Sequence, residues 1–136
     1  MLKRIKESVD SKVKTMNKKI LLIEDKPGLS ETLKSLLELH HYDVITAING
    51  DEGVRLARGH QPDLIISDIY MPVLDGYEVL ELFKKDDQLK RIPIVMLSAK
   101  TEIDEINLAM KKGAAGYVTK PFLFRNLHAV IKDALE

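Results

Sequence analysis

The chain alternates between short apolar runs and longer segments in which apolar residues recur every three or four positions. Uninterrupted apolar runs bounded by Pro, Gly or charged residues are typical of strands covered on both faces of a sheet. One such run, 64–66, begins shortly after Pro62 and leads directly into Ser67 and Asp68. We predict five strands, at 20–23, 44–47, 64–68, 94–97 and 116–118.

A segment with helical spacing follows each predicted strand. Strands that alternate with helices in this way indicate an α/β domain with a parallel sheet and helices on both faces. Since crossovers between parallel strands are right-handed, a doubly wound sheet is the natural arrangement. The apolar faces of the five predicted helices contain Leu29, Leu33, Leu36 and Leu37; Val54 and Ala57; Val79, Leu80 and Phe83; Ile103, Ile106, Ala109 and Met110; and Leu123, Leu127, Val130, Ile131 and Ala134.

Length and composition suit one globular domain, because 136 residues with 45% apolar content can bury a proper core. The net charge of zero hides an uneven distribution: residues 1–19 contain seven basic and two acidic residues, and the remainder has an excess of acids. We predict a basic extension at 1–18, either an amphipathic helix or disordered, before a domain at 19–136. Met16 could also be the true start of the protein.

Several classes of site are excluded or disfavoured by residue types. The chain has no cysteine, so it forms neither disulfides nor thiolate metal sites. No run reaches the length of a membrane span or resembles a signal peptide, and we interpret the protein as cytoplasmic. The histidines show no ligand spacing and are interpreted as surface residues; they are His40, His41, His60 and His128.

Chemically useful side chains follow four of the five predicted strands. Glu24 and Asp25 follow the first strand, Asp68 ends the third, Ser98 follows the fourth and Lys120 follows the fifth. The carboxyl ends of parallel strands share one edge of a sheet, and the strand order 2-1-3-4-5 would bring the first and third strands side by side there. We therefore expect three carboxylates, a hydroxyl and an ammonium group to converge.

Crowded carboxylates need a cation or shifted pKa values, because two negative charges about 5 Å apart repel by roughly 3 kcal/mol at an effective dielectric constant of about 20. Oxygen ligands suit Mg²⁺, which binds one or two carboxylates together with phosphate oxygens. The Ser98 hydroxyl and the Lys120 ammonium could contact phosphoryl oxygens. Transfer of a phosphoryl group to a carboxylate is the chemistry that this set of groups can perform.

Four blocks of the sequence resemble the receiver domains of two-component response regulators. The blocks are IEDKP at 23–27, DIYMPVLDG at 68–76, LSAK at 97–100 and YVTKPF at 117–122. Their order and spacing match the family over about 19–136. The resemblance implies a flavodoxin-like sheet of order 2-1-3-4-5 with five helices, in a stand-alone, chemotaxis-type regulator. It also implies phosphorylation by a histidine kinase or a phosphotransfer protein.

The resemblance assigns roles by position. It implies that Asp68 is the phosphoacceptor, that Asp25 binds Mg²⁺ directly, and that Glu24 holds the ion, through water. The backbone carbonyl of Tyr70 would complete the protein ligands. The acidic pair departs slightly from the family, in which Asp-Asp is commoner, but a longer Glu leaves the water-mediated role open. Tyr70 is bulky for a position that tunes the phosphoryl lifetime in this family.

The resemblance further implies a switch. Ser98 and Lys120 would contact the phosphoryl oxygens, and Tyr117 would turn inward once Ser98 is recruited. Lys120 and Pro121 would be joined by a cis peptide bond. The surface formed by helix four, strand five and helix five would then act on a downstream target protein or a second copy of the chain. No nucleic-acid-binding domain is predicted, and catalysis would be limited to the protein's own phosphorylation and dephosphorylation.

Two other functions are compatible with parts of the pattern. The fold could serve as a phosphorylation-independent interaction module, although loss of an acid, the hydroxyl or the lysine would favour this reading and none is lost. A Mg²⁺-dependent phosphatase of the haloacid-dehalogenase type also uses an Asp nucleophile. That class places an Asp-x-Asp pair after the first strand, where this sequence has Glu24 and Asp25.

Overall fold

The computed structural model describes residues 17–136, so the predicted basic extension lies almost entirely outside the described residues. Five strands form one sheet: β1 (Lys19–Ile23), β2 (Asp43–Ala47), β3 (Leu64–Asp68), β4 (Ile94–Ser98) and β5 (Gly116–Thr119). All neighbours are parallel, and their order is β2-β1-β3-β4-β5, which confirms the predicted topology. The predicted strands differ from these by no more than one residue at either end.

Five helices cover the sheet: α1 (Pro27–Leu39), α2 (Gly50–His60), α3 (Gly76–Lys85), α4 (Ile103–Lys111) and α5 (Phe124–Leu135). The side chains of each central strand alternate between two apolar cores. Leu64 and Ile66 point into a core with α1 and α5, whereas Ile65 points into a core with α2, α3 and α4. Burial on both faces explains why the central strands are apolar at nearly every position.

The start of α3 is fixed against the end of β3. Asp75 accepts a hydrogen bond from the Glu78 backbone N–H, and the Glu78 side chain accepts one from the Asp75 N–H, which forms a capping box. Gly76 leaves no room for a side chain, because a Cβ there would lie 2.6 Å from the Asp68 carbonyl oxygen and 2.7 Å from the Ile69 Cα. The Asp75–Gly76 pair therefore holds α3 directly beside Asp68.

The predicted apolar face of α4 is wrong in part. Ala109 is buried, but Ile103 is 70% exposed and Met110 is 44% exposed. The physical reason is the position of the helix, which packs against β5, a strand of only four residues at the edge of the sheet. A short edge strand covers only a narrow stripe of a helix, and the helical spacing alone does not reveal how wide that stripe is.

Four rings join the end of α1 to the start of α5. The Tyr42 hydroxyl lies 3.0 Å from His128 Nε2, and the His128 ring packs against His40 and Phe124 at centroid distances of 4.9 and 5.4 Å. Interpretation of His128 as a plain surface residue is therefore wrong. Burial lowers the pKa of His128, and the positive charges of Lys132 and His40 lower it further.

Among the residues that the structure describes, no helix has both the length and the apolar character needed to cross a membrane.

We expect His128 to titrate below the ordinary histidine pKa of 6.5, as measured from its ring proton signals by NMR. Because the folded state binds fewer protons than the unfolded state, His128 contributes stability that is complete above pH 6.5 and is lost as the pH falls below that value. Lys132→Gln should raise the pKa of His128, whereas Lys111→Gln on α4 should leave it unchanged. A pKa at or above 6.5 in the parent protein would contradict the burial argument.

Candidate functional site

The predicted site residues meet at the carboxyl edge of the sheet. β1 and β3 are direct neighbours, which places Glu24 and Asp25 beside Asp68, and the β3–β4 register pairs Asp68 with Leu97. Ser98 follows Leu97 in β4, and Lys120 follows the last residue of β5. This convergence follows from the parallel topology, because every strand delivers its last residue to the same edge.

Three carboxylates form a tight and largely buried group. One oxygen from each of Glu24, Asp25 and Asp68 lies within 4.8 Å of the others. Glu24 is 1% exposed and Asp68 is 3% exposed. Within the described residues, Asp25 Oδ1 is buried and has no hydrogen-bond partner. A buried carboxylate oxygen without a donor is costly, so this arrangement favours a cation between the three side chains.

The Lys120 ammonium compensates part of this charge. Its Nζ lies 3.1 Å from Glu24 Oε1 and 3.3 Å from Asp68 Oδ2, and the lysine side chain is only 18% exposed. The peptide bond between Lys120 and Pro121 is cis, as the resemblance implied. The ammonium group of Lys120, which directly follows β5, thus contacts two of the three carboxylates.

The crowding and burial of the three carboxylates shift the pKa of Glu24. Burial raises the pKa of Glu24 above its ordinary value of 4.5, and the negative charge of Asp68 raises it further, while Lys120 acts in the opposite direction. The folded state therefore binds more protons than the unfolded state above pH 4.5. Stability from this group is present at low pH and is lost as the pH rises through the folded-state pKa.

The predicted switch residues, Ser98 and Tyr117, are both bound to the backbone of Lys100. The buried Ser98 hydroxyl oxygen accepts a hydrogen bond of 3.0 Å from the Lys100 N–H. The Tyr117 hydroxyl donates a bond of 2.9 Å to the Lys100 carbonyl oxygen. The loop between β4 and α4 therefore connects the end of the central sheet to the Tyr117 ring on β5.

Tyr70 follows Asp68 by two residues and extends toward α4. Its backbone N–H lies 3.4 Å from Asp68 Oδ1, and its hydroxyl donates a 3.2 Å bond to Glu105 Oε2. The Tyr77 hydroxyl donates a shorter bond, 2.6 Å, to the same oxygen. Sequence reasoning missed Glu105 and Tyr77, because no motif spacing links a residue of α4 to a residue of α3. Coordination by the Tyr70 carbonyl remains a prediction.

Comparison with known proteins identifies the family. The response regulator receiver domain matches residues 20–132. The chain belongs to the receiver domain family of two-component response regulators. Membership argues against the haloacid-dehalogenase alternative, because receiver domains are signalling switches rather than dedicated phosphatases.

Curated transcriptional regulators resemble this chain over part of their length. The alkaline phosphatase synthesis transcriptional regulatory protein PhoP of Bacillus subtilis is 42% identical over 120 residues, 88% of this chain and 49% of PhoP. The transcriptional regulator RpaA of Synechocystis is 36% identical over 117 residues, 86% of this chain and 48% of RpaA. The chain spans about half the length of these curated relatives.

Solved structures confirm the flavodoxin-like receiver fold. The chemotaxis protein CheY4 of Vibrio cholerae superposes with a TM-score of 0.82 at 30% identity, over 87% of this chain and 98% of CheY4. The receiver domain of a sensor histidine kinase from Pseudomonas aeruginosa, whose structure has a magnesium ion coordinated in the active-site cleft, gives a TM-score of 0.80 at 28% identity, over 88% of this chain and 98% of that domain.

The donor atoms of this receiver fit a hard divalent cation. All three acidic side chains offer carboxylate oxygens, and Mg²⁺ prefers oxygen ligands, of which few need come from the protein. The partnerless Asp25 Oδ1 is the donor that most needs a cation, because Glu24 and Asp68 each have Lys120 nearby. The acidic group of residues 24, 25 and 68 could therefore bind Mg²⁺.

Removal of one acid tests whether the group is electrostatically strained. In chelator, we expect Asp25→Asn to raise the free energy of unfolding by about 1–2 kcal/mol, since it removes one of three crowded charges. Mg²⁺ should stabilise the parent by about 2.7 kcal/mol at one hundred times its Kd, and should stabilise the variant less. Urea denaturation with and without Mg²⁺ measures both effects.

Asp51→Asn provides the control, because Asp51 is an exposed acid in the first turn of α2. It should change stability by no more than about 0.5 kcal/mol under either condition. An Asp25→Asn variant less stable than the parent in chelator would show that the carboxylates are not strained.

Proposed function

We propose that this receiver is a phosphoryl-accepting switch in which Asp68 takes a phosphoryl group from a phosphohistidine of a histidine kinase or a phosphotransfer protein. The observation that carries the proposal is the Lys120 ammonium, which lies 3.1 Å from Glu24 and 3.3 Å from Asp68 beside the partnerless oxygen of Asp25. Family membership supports it, since the carboxylate, ammonium and hydroxyl groups occur together at the edge where receivers carry their motifs.

The proposed transfer forms a bond between an Asp68 carboxylate oxygen and phosphorus, and it breaks the phosphorus–nitrogen bond of the phosphohistidine. The imidazole leaves with the electron pair of that bond. Lys120 holds Asp68 in place and would contact a phosphoryl oxygen, and Ser98 would donate its hydroxyl to another. Glu24, Asp25 and Asp68, with the Tyr70 carbonyl, would hold Mg²⁺, which supplies charge neutralisation for the phosphoryl oxygens when bound.

The contacts of Lys100 suggest how the switch would be read. A Ser98 hydroxyl that turns toward a phosphoryl group would leave the Lys100 N–H, and the loop would be free to move. The Lys100 carbonyl that binds the Tyr117 hydroxyl belongs to the same loop. Rearrangement of this loop would therefore release Tyr117 to turn inward and would change the surface formed by α4, β5 and α5.

The consequence of phosphorylation is proposed to be contact with another protein. The relatives PhoP and RpaA are transcriptional regulators, and the described residues 17–136 form the receiver fold alone. A downstream target, or a second copy of this chain, would recognise the surface of α4, β5 and α5. We place the receiver domain at 19–136 and propose a cytoplasmic location. A phosphorylation-independent interaction module on the same fold is the alternative that the next experiments separate.

Phosphorylation at Asp68 is tested by intact mass. With Mg²⁺ and an acyl or amidate phosphodonor, the parent protein should gain one phosphoryl group. Asp68→Asn should gain none, because the amide is not a nucleophile of this kind, and Asp51→Asn should gain one like the parent. An Asp68→Asn variant that acquires the group at the parent rate would exclude Asp68 as the acceptor. A parent protein that gains none would favour the interaction module.

The readout is tested by NMR with Mg²⁺ and beryllofluoride, which stands in for the phosphoryl group on Asp68. Backbone signals of residues 98–120 should shift together with those around Asp68. In Ser98→Ala, the shifts near Asp68 should persist, whereas the shift of Tyr117 should fall because the hydroxyl that moves the loop is gone. Parent shifts confined to Glu24, Asp25 and Asp68, with α4 and Tyr117 unchanged, would contradict the switch.

A further inference from the structure

Glu105 connects three parts of the domain through one carboxylate oxygen. Its Oε2 accepts the Tyr70 hydroxyl at 3.2 Å and the Tyr77 hydroxyl at 2.6 Å. Tyr70 belongs to the loop that leaves Asp68, Tyr77 belongs to the first turn of α3, and Glu105 belongs to the first turn of α4. The carboxylate therefore binds α4 to the two elements that immediately follow β3.

Two hydroxyl donors on one oxygen require an acceptor with no proton of its own at that atom. An ionised carboxylate is such an acceptor, and hydrogen bonds to a charged oxygen are shorter and stronger than those between neutral groups. The tyrosine side chains respond accordingly. Burial raises the pKa of Tyr77 and of Tyr70, and the hydrogen bond and negative charge of Glu105 raise both further. Both hydroxyls are therefore held in the protonated, donating form.

The first turn of α4 has little else to hold it. Ile103 is 70% exposed, and the Glu102 side chain makes no capping hydrogen bond within the described chain. Ala109, the buried residue of α4, lies near the other end of the helix. Since no apolar side chain of the first turn is fully buried and Ile106 is only half-buried, the position of this turn depends mainly on polar contacts, and the bonds of Glu105 are the charged ones among them.

We infer that Glu105 is a positioning residue that joins the first turn of α4 to the loop after Asp68, so that a change in that loop moves α4 through Tyr70. This connection is distinct from the one through Ser98, Lys100 and Tyr117, because it begins in the loop after β3 rather than at the end of β4 and uses side chains of α3 and α4. The claim that α4 responds to a change at Asp68 rests on the proposed function. The claim that Glu105 holds the first turn of α4 in place does not.

The role of Glu105 in holding the first turn of α4 is tested by amide hydrogen exchange, without metal or phosphoryl analogue. Glu105→Gln replaces the ionised acceptor by a neutral amide, so exchange of the Glu105 and Ile106 amides, which bind the Glu102 carbonyl, should become about tenfold faster, and Tyr77→Phe should have a similar effect. In the double variant, the acceleration should be smaller than the two single effects combined, because both changes act on the same hydrogen bond. Asp104→Asn removes an exposed charge from the same turn and should leave exchange within about twofold of the parent.

The coupling is tested by NMR with Mg²⁺ and beryllofluoride in the same proteins. In Glu105→Gln, signals near Asp68 and Lys120 should shift as in the parent, whereas the shifts of residues 103–106 should fall to less than half. The ring signals of Tyr70 should shift with α4 in the parent and independently of it in the variant. If Glu105 had only a structural role, Glu105→Gln would loosen α4, but the shifts near Asp68 and those of residues 103–106 would still occur together.

The inference is overturned if Glu105→Gln exchanges like the parent, or if its α4 shifts remain at the parent size. A parent protein with no shift near Asp68 would instead contradict the proposed function. In that case the positioning role would be decided by hydrogen exchange and by the Tyr70 and Tyr77 ring signals alone.

Discussion

The contact of one ammonium with two buried carboxylates governs the arrangement of the site. Lys120 reaches Glu24 and Asp68 from the strand beyond β4, and both acids are almost fully buried. Without this cation, three carboxylates within 4.8 Å would face one another with little solvent to screen them. The ammonium balances only part of that charge: burial and the negative charge of Asp68 still raise the pKa of Glu24, and Asp25 Oδ1 has no hydrogen-bond partner among the described residues. The fold therefore holds an excess of negative charge that a divalent cation would neutralise.

The position of α3 depends on a close approach between its first turn and the end of β3. The absence of a side chain at Gly76 lets the helix begin against the backbone of Asp68 and Ile69, and the Asp75 capping box fixes its first turn. Tyr77 is thereby carried to the place where its hydroxyl meets Glu105. The close packing at Gly76 thus determines where the next residue, Tyr77, can place its hydroxyl.

Sequence reasoning located the acidic group, Ser98 and Lys120, because parallel strands must deliver their last residues to one edge and the strands themselves are unusually apolar. It could not locate side-chain contacts between elements that are distant in the sequence. Tyr42 and His128 are 86 residues apart, and Glu105 meets Tyr70 across 35 residues. Those pairs depend on the angle and separation of packed elements, which the spacing of apolar residues does not encode. The exposed face of α4 was misjudged for a related reason, since the width of its covering strand is a tertiary property.

The bonds of Ser98 and Tyr117 to Lys100 use only its peptide groups. The lysine side chain takes no part in them, so almost any residue could occupy position 100 and preserve the link. Proline is the exception, because it lacks the N–H that Ser98 accepts. A substitution of the exposed Lys100 side chain would therefore change the surface of the loop while the two backbone hydrogen bonds stay intact. The exposed surface of the loop and its backbone hydrogen bonds can thus vary independently of each other.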